Sequence, residues 1–217
     1  MVGPDFQAQW RERLASGSKL ASKALAQAAK DEPTRVPMVA ALCADPHVAV
    51  RVSALRALAT LSHTLPQAVA PHAREVVEGL AWPEADAQEA SLDALGCIAS
   101  RAPAEAALAL PLIAALLEGA RRPALREEAA RCLGRIGGEV PTQAAPAADR
   151  LATHLVGLRN PRSAQEARET LAAIEALVPF LMAPDRAALV PRIAPLRAHA
   201  NIQVRERAGR IARLLTA

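Results

Sequence analysis

Apolar and polar residues follow one another along this chain with the period of an α-helix, most clearly over residues 45–62. There DPHVAVRVSALRALATLS places Val50, Ala54, Ala57, Leu58 and Leu61 three and four residues apart. On a helix that spacing makes one buried stripe. The stripe is rich in alanine, so a neighbouring helix can approach closely. Asp45, Pro46 and His47 ahead of it read as a tight turn.

The pattern returns down the chain. Leu58 matches Leu95, Leu133, Leu171 and Ala212, at steps of 37, 38, 38 and 41 residues. Each step has room for two helices, and prolines cluster between the periodic segments or near helix starts, where they are tolerated. The spacing predicts a short helix over 37–44 before the first stripe. It then predicts pairs at 66–81 with 83–100, 103–120 with 123–138, 142–158 with 161–178, and 185–200 with 201–216. Residues 4–17 carry Phe6, Trp10 and Leu14 at spacing four, and 18–30 reads as a second helix. These two cap the array or form a degenerate first repeat. A near-constant step holding a helix–turn–helix marks a stacked repeat array, because one helix pair cannot bury its apolar face alone. The expected core stripe is Val50, Leu58, Leu61, Leu95, Ile98, Leu133, Ile136, Leu171, Ile174, Ile211 and Leu215. No Gly/Ser linker divides the chain. A single domain over 1–217 is expected, with 1–31 as the cap and five helix pairs over 32–217.

The turns carry a resemblance. Asp45 is followed by Val50-Arg51, and Leu125-Arg126 and Val204-Arg205 repeat the apolar–Arg pair. Asn160 and Asn201 stand near the place of the Asp, while Gln88 and Ala164 replace the Arg in the two remaining repeats. On these residues the chain resembles the HEAT-repeat family. The resemblance implies an all-α fold, a right-handed superhelical αα-solenoid of HEAT-like helix pairs. It also implies a binding scaffold whose second helices line a concave face. It covers roughly residues 31–217.

Composition narrows the function. The chain is 52% hydrophobic but only 2% aromatic, with no tyrosine. Small-molecule pockets and base-stacking platforms lean on aromatic faces, so both lose weight. The net charge of +4, carried mostly by arginine, fits an arginine-biased composition as well as an anionic partner. Cys43, Cys97 and Cys132 are odd in number and lack CxxC spacing, so reduced packing thiols and a cytoplasmic location are expected. The histidines His47, His63, His72, His154 and His199 form no HxxH or HExxH pair, so neither a metal site nor a cofactor is expected. No signal-like N-terminus and no long uncharged apolar run is present, so no membrane span is expected. Catalytic residues are not expected either. Glu127-Glu128 reads as an adjacent, solvated pair, and no GxSxG or Cys/His arrangement occurs. Gly134, Gly137 and Gly138 follow a helix rather than a strand, so they serve close contacts or helix exit rather than a phosphate cradle.

Two surfaces remain as candidates. Arg56, Asp93, Arg131, Glu169 and Arg210 fall at one shared position of the second helices, with alternating sign. They form either a ladder of ion pairs between repeats or a mixed-charge groove for a segment of another protein. The motif arginines Arg51, Arg126 and Arg205 are expected to bond turn carbonyls or the acidic turn of a neighbouring repeat. Arg186, Arg192, Arg197, Arg205, Arg207, Arg210 and Arg213 make the last repeat strongly basic. That end is a polar outer cap, or a dock for an acidic protein segment or nucleic acid. The expected function is a protein-binding scaffold, with nucleic-acid binding through the basic end as the alternative.

Overall fold

The structure is a computed structural model that describes residues 5–158 and 163–216. Pro4, Asn160 and Pro161, which enter the sequence reading, lie outside the described residues. Among these residues every regular element is a helix. Two compact units divide the chain, residues 1–109 and 110–217.

The first unit holds α1 (Asp5–Leu14), α2 (Lys19–Asp31), α3 (Val36–Ala41), α4 (Val48–Thr64), α5 (Pro66–Val69), α6 (Ala73–Glu78) and α7 (Ala85–Ile98). α8 (Pro103–Gly119) contributes to both units. The second holds α9 (Pro123–Glu139), α10 (Ala144–Leu155), α11 (Ala164–Leu177), α12 (Ala183–Ile193) and α13 (Ile202–Thr216). In the first unit α4 packs between α2 and α7, while α3 and α5 lie against α4 and α6 against α7. In the second, α11 packs between α9 and α13, and α10 and α12 form the adjoining layer. Within each unit the second helix of a pair therefore stacks on its counterpart in the next pair.

The first helices are less regular than the periodicity predicts. Residues 66–81 break into α5, a 3-10 turn at Ala70–His72, α6 and a 3-10 turn at Gly79–Ala81. Pro71 sits in the first of these turns, where its missing N–H removes an α-helical bond. Pro195 does the same after α12, within the 3-10 segment Ala194–Ala198.

All eleven residues of the expected stripe are buried. At the last match Ala212 is half-buried, and the wholly buried Ile211 stands six residues after Arg205, as the buried Ala57 does after Arg51. Gly134 and Gly137 lie inside α9, not at its exit. A Cβ on Gly134 would stand 2.9 Å from the Ala173 Cβ and 3.0 Å from its Cα, so α9 and α11 touch nearly backbone to backbone there. Phe6, Trp10 and Leu14 are buried against the rest of the first unit, and Arg13 stacks on the Trp10 ring at 4.3 Å.

Candidate functional site

The turns before the second helices are held by side chains of those helices. Asp45 accepts the His47 backbone N–H at 2.8 Å through one oxygen and meets Arg11 at 2.6 Å through the other. One turn on, Arg51 donates to the carbonyls of Asp45 and Pro46. Arg126 donates to the Ala120 carbonyl at 2.6 Å, and Arg205 to those of His199 and Ala200 at 2.8 Å. Gln88, which breaks the sequence motif, donates to Leu80 and Trp82 carbonyls at 3.3 and 2.7 Å. A glutamine therefore performs the arginine's turn-binding task without its charge. Asn201 accepts the backbone N–H groups of Gln203 and Val204, capping the start of α13. Two of the motif arginines also reach the next repeat. Arg51 lies 3.8 Å from Glu84 and over the Trp82 ring, and Arg126 forks onto Glu166 at 2.6 and 2.8 Å.

The five charged residues of the shared position are half-buried or exposed on their helices. The structure brings together one of the expected pairs, Arg131 with Glu169 at 3.3 Å. Arg131 also binds Glu128 at 2.6 Å. Elsewhere the pairing shifts. Arg56 bonds to Asp86 rather than Asp93, Asp93 meets His63 at 2.9 Å, and Arg210 bonds to Glu175 rather than Glu169. The physical reason is register. Across the α4–α7 contact Arg56 meets Asp86 and His63 meets Asp93, both 30 residues on. Positions one repeat step of 37 apart are therefore not level; the difference between 37 and 30, seven residues, is about two helical turns. Glu127 and Glu128, expected to be solvated, are half-buried, and burial raises the Glu127 carboxyl above its ordinary range.

The basic end is less free than its sequence reads. Arg186 donates to the Leu181 carbonyl, Arg192 pairs with Asp149 at 2.7 Å, and Arg205 holds its turn. Arg207 bonds to the Arg168 carbonyl at 3.0 Å and lies 3.3 Å from Glu175, which also takes Arg210. Arg197 and Arg213 are exposed.

A polar centre that the sequence pattern did not single out lies in the second unit. Glu166 on α11 is buried, receives the Arg126 fork from α9, and lies 2.7 Å from His154 Nε2 on α10. Burial works to raise its carboxyl, but the hydrogen bonds from Arg126 and His154 outweigh that and hold it below the ordinary carboxylate value. Beside it a cleft of about 500 Å³ is bounded by Pro123, Glu127 and Gln165. The signal for this centre was three residues in different predicted helices, which no spacing rule connects. In the first unit His63, Asp93 and Cys97 converge in the same unforeseen way.

Solved structures share this arrangement of helices. A designed armadillo repeat protein in complex with the peptide (KR)4 matches at TM-score 0.70 and 20% identity, over 98% of this chain and 95% of that one. The archaeal HEAT-like repeats protein from Thermococcus onnurineus NA1 matches at TM-score 0.60 and 14% identity, over 97% of both chains. The armadillo-repeats-only protein from Plasmodium falciparum matches at TM-score 0.65 and 14% identity, over 89% of this chain and 97% of that one. The fold is a HEAT-like α-solenoid. No protein-family model and no curated protein matches the chain.

In this solenoid the polar side chains of the second helices fall into two groups. Arg51, Gln88, Arg126 and Arg205 secure the turns. Arg131, Glu169, Glu175, Arg207 and Arg210 lie between neighbouring second helices, half-buried or exposed, and present both signs of charge to solvent. No helix of the described residues is long and apolar enough to cross a membrane.

Proposed function

We propose that the chain is a non-enzymatic, cytoplasmic protein-binding scaffold that receives a mixed-charge segment of another protein along the exposed side of its second helices. The observation that carries this reading is the row Glu128, Arg131, Glu169, Glu175, Arg207 and Arg210 in the second unit. Each of these side chains is held by an ion pair. Pre-ordered charges cost little further entropy when a partner meets them, and they favour specificity over raw affinity. The solenoid fold supports the same reading, since a designed protein of this fold is known bound to a peptide. The pairing of the C-terminal arginines weighs against the alternative, because tracking a phosphate backbone needs free cations along a stripe.

The test is affinity purification from the native cell, with and without nuclease, followed by a double charge reversal, Glu169→Lys with Arg210→Glu. A stoichiometric protein partner that survives nuclease and is lost with the reversal is the expected result. Recovery of nucleic acid, with all proteins released on digestion, overturns the scaffold reading.

A further inference from the structure

We propose that His63, Asp93 and Cys97 form a divalent transition-metal site of the zinc type on the first unit. His63 lies in the last turn of α4, and Asp93 and Cys97 stand one turn apart on the same face of α7. α4 and α7 pack directly together, which brings the three side chains to one point. His63 Nε2 is 2.9 Å from Asp93 Oδ2, and Cys97 Sγ lies 3.4 Å from Nδ1 and 3.8 Å from Nε2 of the same ring. All three donor atoms lie within 4.8 Å of one another. Tetrahedral zinc, with bonds of about 2.0–2.3 Å to nitrogen, oxygen and sulfur, sets its ligands roughly 3.3–3.8 Å apart. The cluster needs only small side-chain rotations to meet that geometry.

Three further features favour a cation there. One imidazole, one carboxylate and one thiol make a borderline-soft donor set that suits Zn(II) better than Mg(II) or Ca(II). The carbonyl ends of α4 and α7 both lie nearby, and helix C-termini carry partial negative charge that stabilises a cation. Access is open, because His63 is exposed and Asp93 and Cys97 are half-buried. The other two thiols do not compete. Cys43 and Cys132 are buried, and burial, aided by Glu75 and Glu78, holds the Cys43 thiol far above its ordinary range.

A Cys–His–Asp nucleophile would use the same residue types, but the geometry argues against it. The sulfur stands beside the ring, near both nitrogens, rather than in line with one of them. The C-terminal end of α7 also disfavours a free thiolate, which nucleophilic catalysis needs and a bound cation would compensate. Three protein ligands leave one position for water or for a donor from a partner. The proposal does not depend on the scaffold reading.

The test titrates the reduced full chain with Co(II) alone and reads the sulfur-to-cobalt charge-transfer absorption, then displaces it with Zn(II). One equivalent is expected. Cys97→Ser removes the band, and Asp93→Asn or His63→Gln weakens binding by more than the roughly 10–100-fold that loss of an outer-shell partner costs. On the unaltered protein, Zn(II) is expected to protect Cys97 selectively from alkylation, mapped by peptide mass spectrometry. A band that survives Cys97→Ser, no band at saturating Co(II), or Cys97 labelling unaffected by Zn(II) each overturns the proposal.

Discussion

Neighbouring second helices are tied together in both units, but by different chemistry. In the second unit the ties are guanidinium to carboxylate: Arg126 with Glu166, Arg131 with Glu169, Arg207 and Arg210 with Glu175. In the first unit Arg56 with Asp86 and Arg51 with Glu84 make two such ties, and a further contact joins an imidazole, a carboxylate and a thiol. Stacking helix pairs therefore fixes where a polar contact can form between repeats but not which groups make it. The first unit adds to its guanidinium–carboxylate locks a contact that includes a thiol and an imidazole.

The apolar core sets the scale for that contrast. Leu58→Ala in the first unit and Leu133→Ala in the second are each expected to cost about 2–5 kcal/mol, because both residues are wholly buried and truncation leaves a cavity. Chemical denaturation measures this. A loss below about 1 kcal/mol at either site would mean that the stripe does not carry that unit.

The locks should separate next. Glu166→Ala leaves the half-buried Arg126 without its fork and is expected to cost roughly 3 kcal/mol. Asp93→Ala, in the more open cluster of the first unit, is expected to cost about 0–1 kcal/mol in metal-free buffer. Equal losses would erase the contrast. Acid titration sharpens it. The Glu166 carboxyl is held below its ordinary value of 4.5, so its contribution is complete above that pH and fades as pH falls through the lower, folded value. Glu166→Gln should flatten the loss of stability below about pH 4.5. An unchanged acid limb would show that Glu166 is not a linked group.

Glycine gives a third test. Gly134→Ala places a methyl against the Ala173 backbone across the α9–α11 contact and is expected to cost roughly 1–3 kcal/mol by overpacking, despite the better helix propensity of alanine. A neutral or stabilised variant would show that α11 can move away freely.

The core and the locks differ in how far the chain announces them. Helix pairs and stripe residues are legible because burial repeats with the helical period, and one period is enough to orient a whole face. Ala212 shows the limit of that rule, since it holds the position of Leu58 yet is only half-buried. The turn-binding role of Gln88 was hidden because a motif records residue type, while the turn requires only an N–H donor on a long side chain. Glu166 with His154, and His63 with Cys97, were out of reach for a different reason. Their partners lie 12 and 34 residues apart on separate helices, and contact depends on rotation angles that composition does not encode.

The smallest expected effect bears most directly on function. Arg131→Ala removes an exposed-side guanidinium shared between Glu128 and Glu169. Half-exposed pairs of this kind contribute about 0–1 kcal/mol, so the melting temperature should barely move. Arg56→Ala, which removes the ion pair with Asp86 in the first unit, should be equally mild. If these pairs serve only to hold the stack, neither variant changes partner capture. If the second-helix face is the docking surface, Arg131→Ala weakens capture while leaving stability intact. Arg56→Ala then reports whether the first unit carries a docking face of its own. Loss with Arg131→Ala alone would confine the dock to the second unit, and loss with each variant would assign a docking face to each unit.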